Sequence, residues 1–127
     1  MDISDPFIEA MIQQESSGNP KAVSKQGARG LMQIMPGALK EFNQRNKKNY
    51  SMDNMFDPNM NREVGKWYIY NRIPQMLEHF KLEVSPENML ASYNGGIGNV
   101  RKGKLPDETK KYVPAIMDRF NKMTRTK

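Results

Sequence analysis

The strongest constraint on this chain is a helix-start signal that occurs three times, at Asp5-Pro6, Asp57-Pro58 and Ser85-Pro86. In each pair a side-chain oxygen can accept hydrogen bonds from the free N–H groups of a first helical turn. Proline is favoured at the first helical position because no N–H is needed there. Glycines that can end helices follow at Gly18 and at Gly95-Gly96. The chain is therefore predicted to fold into short helices.

Apolar residues recur at helical spacing between these signals. The first segment carries Phe7, Ile8, Met11 and Ile12, and the last carries Tyr112, Val113, Ile116, Met117 and Phe120. Such stripes are typical of helices that pack one face on a core, and no alternation typical of strands persists along the chain. We therefore predict a mainly α fold, formed by a single domain over residues 1–127.

Two regions between these helices have weaker patterns. Leu31 and Ile34 predict a second short helix starting near Gly30, which Pro36-Gly37 would break. The polar stretch from Asn43 to Asn49 is predicted to be a mobile loop.

The composition excludes several kinds of chemistry. The chain has no cysteine and one histidine, His79, so disulfides, thiolate metal sites, cysteine nucleophiles and histidine-rich metal sites are ruled out. We expect no metal and no cofactor. The net charge of +6 suits an anionic partner, although solubility alone also accounts for it. No apolar run approaches the roughly 20 residues of a membrane span, so no transmembrane segment is expected.

Glu15 interrupts the apolar stripe of the first predicted helix. It follows Ile8 by seven residues, Met11 by four and Ile12 by three, which places its carboxyl group on the apolar face. It also lies in the last turn, at the negative end of the helix dipole. Partial burial and the dipole both disfavour the carboxylate, so both would raise the pKa of Glu15.

A raised pKa would give Glu15 a proton that it can donate near neutral pH. Glu9, by contrast, is predicted to project elsewhere into solvent. The alternative for Glu15 is a helix-end glutamate that reaches water or pairs with a lysine. Position alone leaves both interpretations open.

Four motif groups occur in order along the chain. They are Glu15-Ser16-Ser17-Gly18-Asn19-Pro20, the run from Gly27 to Pro36, the run from Ala91 to Gly96, and Leu105 to Thr109 with Tyr112-Val113. Between them lies Asp57-Pro58 with Asn61, Gly65 and Tyr68. This ordered set resembles the catalytic domain of the soluble lytic transglycosylases, within the lysozyme-like superfamily. The resemblance extends from about Phe7 to Phe120.

The resemblance implies a lysozyme-like single domain of short helices around a glycan-binding groove. Its partner would be the glycan strand of peptidoglycan, cut at the β-1,4 bond between N-acetylmuramic acid and N-acetylglucosamine. Most glycosidases use two carboxylates, whereas this family uses one glutamate, matched here by Glu15. Glu15 would act first as general acid and then as general base, and the product would be a 1,6-anhydro sugar formed without water.

The resemblance also assigns roles to other residues. It implies that the glycan is bound by Ser24, Met32, Gln33, Met35, Tyr93, Asn94 and Tyr112. Ser24 can equally be an ordinary loop serine. Glu108 is expected to have a structural role, as an acid next to residues of the site. Its alternative role is that of a second catalytic carboxylate.

Other functions remain open from the sequence. One is a hydrolase of the goose-type lysozyme kind, and another is a peptidoglycan-binding or structural protein without turnover. A nucleic-acid binder is not expected, because basic and stacking aromatic residues are not interleaved.

The place of action is expected to be the cell wall, in the periplasm or outside the cell, with the protein acting as a monomer. Residues 1–5 are acidic where an export signal would be basic, so no signal peptide is predicted. A phage particle, a phage lysis protein or an excised domain of a larger enzyme would each fit.

Overall fold

A computed structural model describes residues 5–125 of the chain. The prediction that there is no signal peptide was based on residues 1–5, and all of these except Asp5 lie outside the described residues. The described residues form helices α1 (Pro6–Ser16), α2 (Pro36–Asn46), α3 (Pro58–Trp67), α4 (Ile73–His79), α5 (Pro86–Gly95), α6 (Ile97–Lys102) and α7 (Asp107–Arg125). A 3₁₀ turn occupies Asp53–Phe56, and a π-helical turn, Tyr68–Arg72, joins α3 to α4. None of these helices is long and apolar enough to cross a membrane.

The three predicted helix starts are confirmed. Asp5 Oδ1 accepts hydrogen bonds from the N–H groups of Phe7 and Ile8, at 3.0 and 3.3 Å. Asp57 Oδ1 caps α3 in the same way at 2.9 Å, and Ser85 Oγ caps α5 at 3.0 Å through the N–H of Asn88. In all three, the following proline is the first helical residue, as local capping chemistry requires.

The predicted helix near Gly30 is wrong. Residues 27–35 form turns, with an isolated antiparallel bridge between Arg29 and Ile34. Gly30 and Gln33 have φ angles of +79° and +54°, which a right-handed helix cannot contain. Pro36 therefore begins α2 instead of breaking a helix.

The stretch from Asn43 to Asn49 is not the free loop that was predicted. Helix α2 continues to Asn46, and Lys47 closes it in the left-handed conformation with φ of +53°. The Asn43 side chain then fastens the chain to Tyr50: its Nδ2 donates to the Tyr50 carbonyl at 2.9 Å, and its Oδ1 accepts from the Tyr50 N–H at 3.1 Å.

The chain divides into two compact units, and the division falls inside α1. One unit is Met11–Tyr68, and the other takes the described residues of Met1–Ala10 and Ile69–Lys127. The buried side chains of the first unit include Met11, Ile12, Met32, Ile34, Phe42, Met55 and Val64. Those of the second include Ile8, Ile69, Ile73, Leu77, Leu90 and Ile116. That residues 1–127 form one domain stays a prediction.

Candidate active site

Glu15 lies in the last turn of α1 and is half-buried. Its helix neighbours Ile8, Met11 and Ile12 are at most 1% exposed, so the apolar stripe predicted for this face is confirmed. Glu9 is also half-buried, contrary to the prediction that it is solvated. Partial burial therefore does not by itself single out Glu15, and its position at the end of the helix is what distinguishes it.

The chain turns sharply after Glu15. Ser17 and Gly18 adopt left-handed conformations, with φ of +54° and +79°, and they end the helix. The Ser16 hydroxyl donates to the Leu31 carbonyl at 2.8 Å and lies 3.2 Å from the Ile12 carbonyl oxygen. The end of α1 is thereby joined to the segment of residues 27–35.

A buried amide, that of Asn61 in α3, holds this segment in place. Asn61 Nδ2 donates to the carbonyl oxygens of Arg29 and Met55, each at 2.9 Å, and Asn61 Oδ1 accepts from the N–H of Met32 at 2.8 Å. Asn61 has no exposed surface. Because the three bonds satisfy three of the four hydrogen-bonding positions of the amide, its burial is compensated.

Gly30 is required by this arrangement. A Cβ atom at Gly30 would collide with the Met55 carbonyl oxygen and with Asn61 Nδ2, and the φ angle of +79° already favours glycine. Gly65 is required for a related reason, because a Cβ there would collide with the Sδ atom of Met32. The segment of residues 27–35 can therefore lie directly against α3.

Met32 was predicted to bind substrate, and the structure corrects that prediction. Its side chain has no exposed surface and packs against Gly65. Because an apolar side chain that is fully enclosed offers no surface to a ligand, Met32 is a core residue here.

Three other predicted contacts lie in the same unit and are accessible. Gln33 is half-buried, and its Nε2 donates to the carbonyl oxygens of Gly30 at 2.9 Å and Ala22 at 3.3 Å. Its amide oxygen can still accept. Met35 is 42% exposed, which is high for a large apolar side chain. Ser24 closes a turn, since its Oγ accepts from the Ala28 N–H at 3.0 Å.

The side chain of Arg29 is fixed beside this segment. Its Nη1 pairs with Asp53 Oδ1 at 2.8 Å, and its guanidinium carbon lies 5.2 Å from the centre of the Phe56 ring. Cations at this distance from an aromatic ring are attracted to its face. The guanidinium group of Arg29 is therefore fixed by its contacts with Asp53 and Phe56.

A second cluster lies in the other unit, where α5 ends and α7 begins. Asn94 Nδ2 donates to Glu108 Oε2 at 3.0 Å, and Asn94 Oδ1 accepts from the Thr109 hydroxyl at 2.7 Å. Thr109 is 1% exposed and Glu108 is exposed. A Cβ on Gly95 would lie 2.6 Å from Thr109 Oγ1, so glycine at this position permits the contact.

The two predicted tyrosines in this unit differ in exposure. Tyr93 is half-buried, whereas Tyr112 is 5% exposed and belongs mainly to the core. Any contact of Tyr112 with a ligand is limited to a small edge.

The structure thus groups the predicted site residues into two sets. Glu15, Ser24, Met32, Gln33 and Met35 belong to the unit Met11–Tyr68, and Tyr93, Asn94, Glu108 and Tyr112 belong to the other.

Sequence reasoning missed the roles of Ser16, Asn61 and Thr109. One signal was available for Asn61, which precedes Val64 by three residues and Gly65 by four and is therefore a polar residue on a buried helix face. Ser16 and Thr109 each bond to residues that are fifteen positions away, and no local pattern reveals such pairs.

Comparison with known proteins decides the family. The profile of the transglycosylase SLT domain family matches residues 2–115. The chain belongs to this family. The mainly α, lysozyme-like fold that the sequence predicts is also confirmed.

The chain is similar to transglycosylases from a phage and from bacteria. The chain is 30% identical over 118 residues to a transglycosylase of Enterobacteria phage PRD1, covering 92% of this chain and 38% of the relative. It is 35% identical over 104 residues to the soluble lytic murein transglycosylase of Salmonella typhimurium, covering 79% of this chain and 15% of that protein. The chain therefore spans well under half the length of either relative.

A solved structure agrees with the fold. It is that of an inactive glutamate-to-glutamine mutant of the lytic transglycosylase Slt from Pseudomonas aeruginosa. It matches with a TM-score of 0.78 at 26% identity, covering 98% of this chain and 23% of the other.

Proposed function

We propose that this chain is the catalytic part of a peptidoglycan lytic transglycosylase, with Glu15 as its acid and base. The observation that carries the proposal is the half-buried Glu15 at the end of α1, next to Ser16, which bonds to a segment that Asn61 holds in place. It occurs in a chain of the SLT domain family. A carboxyl group that is partly removed from water is suited to hold a proton and then to release it.

The reaction balances with one carboxyl group. Glu15 gives its proton to the glycosidic oxygen, and the bond from C1 of N-acetylmuramic acid to that oxygen breaks. The 2-acetamido group of the same sugar stabilises the positive charge at C1. The carboxylate of Glu15 then removes the proton of the C6 hydroxyl, whose oxygen bonds to C1. Glu15 ends protonated as it began, and no water is consumed.

Two physical effects support this sequence of steps. General acid and base catalysis by a positioned group contributes roughly 10²–10⁴-fold to the rate. An intramolecular hydroxyl also has a large entropic advantage over free water, because it is already close to the atom that it attacks. Glycan binding and distortion of the sugar supply the remaining acceleration.

The relatives support both the substrate and the residue type. The relative from Salmonella typhimurium is a soluble lytic murein transglycosylase, and murein is peptidoglycan. The enzyme from Pseudomonas aeruginosa is inactive when a glutamate is replaced by glutamine. The one-carboxylate scheme proposed for Glu15 agrees with such a requirement.

The accessible residues of the two clusters then receive roles as glycan contacts. We infer that the exposed Met35 side chain packs against a sugar face and that the Gln33 amide oxygen accepts from a sugar hydroxyl or N-acetyl group. Ser24, whose oxygen accepts within a turn, keeps a hydroxyl proton that can donate. Tyr93 and Asn94 are proposed as glycan contacts because they match the family motif, with Glu108 bonded to Asn94.

The setting of this activity follows from its substrate. A chain that cuts glycan strands acts on the cell wall, and the transglycosylase of phage PRD1 agrees with delivery by a phage. We propose peptidoglycan as the partner of a monomeric enzyme.

The test is mass spectrometry of purified peptidoglycan after digestion. We expect muropeptides that end in 1,6-anhydro sugars, which are lighter than hydrolysed ends by one water. Glu15→Gln should lower the rate by about 10²–10⁴-fold. Glu9→Gln is the matched control, because Glu9 is a half-buried glutamate of the same helix, and it should digest walls at nearly the normal rate.

Three outcomes would contradict the proposal, each in a different way. Ends that carry one additional water would show a hydrolase of the goose-type lysozyme kind. Wall digestion by Glu15→Gln at the rate of Glu9→Gln would show that the catalyst is another residue. Binding of peptidoglycan without any cleavage by the unmodified chain would show a binding protein.

A further inference from the structure

The end of α1 is where the helix's own backbone bonds restrain its position least. The last carbonyl groups of a helix have no partners within it, and terminal turns fray readily. Beyond α1, the backbone bonds are local ones, from the Ser17 N–H to the Gln13 carbonyl and from the Asn19 N–H to the Ser16 carbonyl, each at 3.1 Å. Neither bond restrains the helix end against a distant part of the chain.

The Ser16 hydroxyl makes such a restraint. Its Oγ lies 2.8 Å from the Leu31 carbonyl oxygen, fifteen residues away, and 3.2 Å from the carbonyl oxygen of Ile12 in the preceding turn. The shorter distance is the one to Leu31, and 2.8 Å is the usual length of a good O–H···O bond. The proton of Ser16 therefore joins α1 to the segment of residues 27–35 better than it bonds within its own helix.

Leu31 is a fixed point for this bond. Asn61 bonds to the chain before and after it. Asn61 Nδ2 donates to the carbonyl oxygen of Arg29, two residues earlier, at 2.9 Å, and Asn61 Oδ1 accepts from the N–H of Met32, the next residue, at 2.8 Å. Leu31 itself is 5% exposed. An anchor that is fastened on both sides and enclosed can hold a helix end that would otherwise fray.

We propose that Ser16 is a positioning residue for Glu15, a role that rests on the proposed function. Ser16 follows Glu15 directly, so a restraint on Ser16 fixes the backbone from which the Glu15 carboxyl projects. It also joins the backbone next to Glu15 to the segment that carries Gln33 and Met35. A misplacement of a reacting group by about 1 Å can lower a rate by roughly 10²-fold, so a single tether can have a measurable effect on turnover.

The test compares Ser16→Ala with Ser17→Ala and Ser16→Thr in the full chain. Ser17 is the neighbouring serine and is exposed, whereas it is Ser16 that bonds to the Leu31 carbonyl, so the alanine variant of Ser17 is the matched control. Initial rates are measured on purified peptidoglycan over a range of concentrations, and thermal unfolding is followed for each variant.

We expect Ser16→Ala to lower kcat by about 10- to 100-fold and to change KM by less than about 2-fold, since the glycan contacts are kept. Ser17→Ala should keep the normal kcat. Ser16→Thr keeps the hydroxyl and should recover most of the lost kcat.

The outcomes separate this inference from the proposed function. If Ser16→Ala has the same kcat per folded molecule as Ser17→Ala while Glu15→Gln is inactive, Ser16 is not a positioning residue and the proposed function stands. If Ser16→Thr is as slow as Ser16→Ala, the hydroxyl is not the cause and the inference is overturned. If Glu15→Gln digests walls as fast as Glu9→Gln, the proposed function itself fails.

Discussion

The two clusters of site residues are held by different kinds of hydrogen bond. In the unit Met11–Tyr68, the Asn61 side chain bonds only to backbone groups, and it is completely buried. In the other unit, the Asn94 side chain bonds to two side chains, the exposed Glu108 and the buried Thr109. The Asn61 amide therefore fixes the backbone of a segment, whereas the position of the Asn94 amide depends on two neighbouring side chains.

The difference predicts how each cluster responds to change. Backbone groups cannot leave a buried amide without moving the chain, so the geometry around Asn61 is tied to the folding of its unit. Side chains can change rotamer, and water can replace a bond at a partly exposed position. The region of Glu15 should therefore be stiff and the region of Asn94 adjustable, and four measurements bear on this contrast.

The largest effect is expected from Asn61→Leu. This change keeps a similar volume but leaves the Met32 N–H and the carbonyl oxygens of Arg29 and Met55 buried without their partner. The free energy of unfolding should fall by about 3–5 kcal/mol, because each unsatisfied buried group costs about 1–3 kcal/mol and part of the loss is relieved by relaxation. Denaturant unfolding measures it. Asn59→Leu, at an exposed position of the same helix, should cost less than about 1 kcal/mol, and equal losses would contradict the importance of the buried amide.

Gly30→Ala is expected to have the next largest effect. The new Cβ would meet the Met55 carbonyl and the Asn61 amide, and the backbone cannot move aside without breaking the bonds of Asn61. We expect a loss of about 2–4 kcal/mol in the free energy of unfolding. Gly27→Ala is the control, since Gly27 also has positive φ, +91°, but has no atom within 4 Å of the added Cβ. It should lose only the conformational term of about 1 kcal/mol.

Thr109→Val tests the adjustable cluster. Valine has nearly the shape of threonine, so the change removes the donor to Asn94 Oδ1 and little else. Because Asn94 is half-buried and water can replace the donor, the free energy of unfolding should fall by only about 1 kcal/mol. Thr109→Ser keeps the hydroxyl and should restore Asn94. A loss from Thr109→Val as large as that from Asn61→Leu would remove the contrast between the two clusters.

The smallest effect concerns alkaline pH. Burial first, and then the hydrogen bond from its hydroxyl to Asp5 Oδ2 at 2.8 Å, raise the pKa of Tyr70 above its ordinary value of 10.0. The folded state therefore keeps this proton at a pH where the unfolded chain releases it. The stabilisation is complete below pH 10 and declines as the pH rises above it.

Tyr70→Phe should accordingly flatten the fall in unfolding midpoint as the pH rises above 10. Tyr50 provides a comparison in the other unit. Its hydroxyl donates to Glu63 at 2.7 Å, and that bond, the leading cause, also raises the pKa of Tyr50. Because Glu63 and the bond to it are exposed to solvent, Tyr50→Phe should change the profile less. An unchanged slope in Tyr70→Phe would show that other groups control alkaline unfolding.

Local chemistry was sufficient for the helix starts and for the family. A capping oxygen acts two or three residues along the chain, so Asp5, Asp57 and Ser85 could be interpreted from the sequence alone, and each caps a helix. The ordered motifs likewise led to the family that the SLT domain match confirms. Glu15 was placed on the apolar face of α1 by spacing alone, and the fully buried residues of that face agree with it.

The same reasoning failed between residues 27 and 35. The apolar spacing there fits a helix, but the positive φ angles of Gly30 and Gln33 exclude one. In this segment Asn61, about thirty residues further along, bonds to the Arg29 carbonyl and the Met32 N–H, where a helix would supply partners of its own. Spacing rules consider residues within one or two turns of each other, so they cannot detect a partner at that distance.

For this protein the sequence alone determined where helices begin, which faces are apolar, and which carboxyl group is the candidate acid. The tertiary structure alone decided which distant residues bond at the end of α1 and in the segment of residues 27–35: Ser16 to Leu31, and Asn61 to Met32. The physical reason is that caps and apolar stripes depend on neighbours within a few residues. A buried polar group, by contrast, takes whichever partner the folded chain brings within about 3 Å.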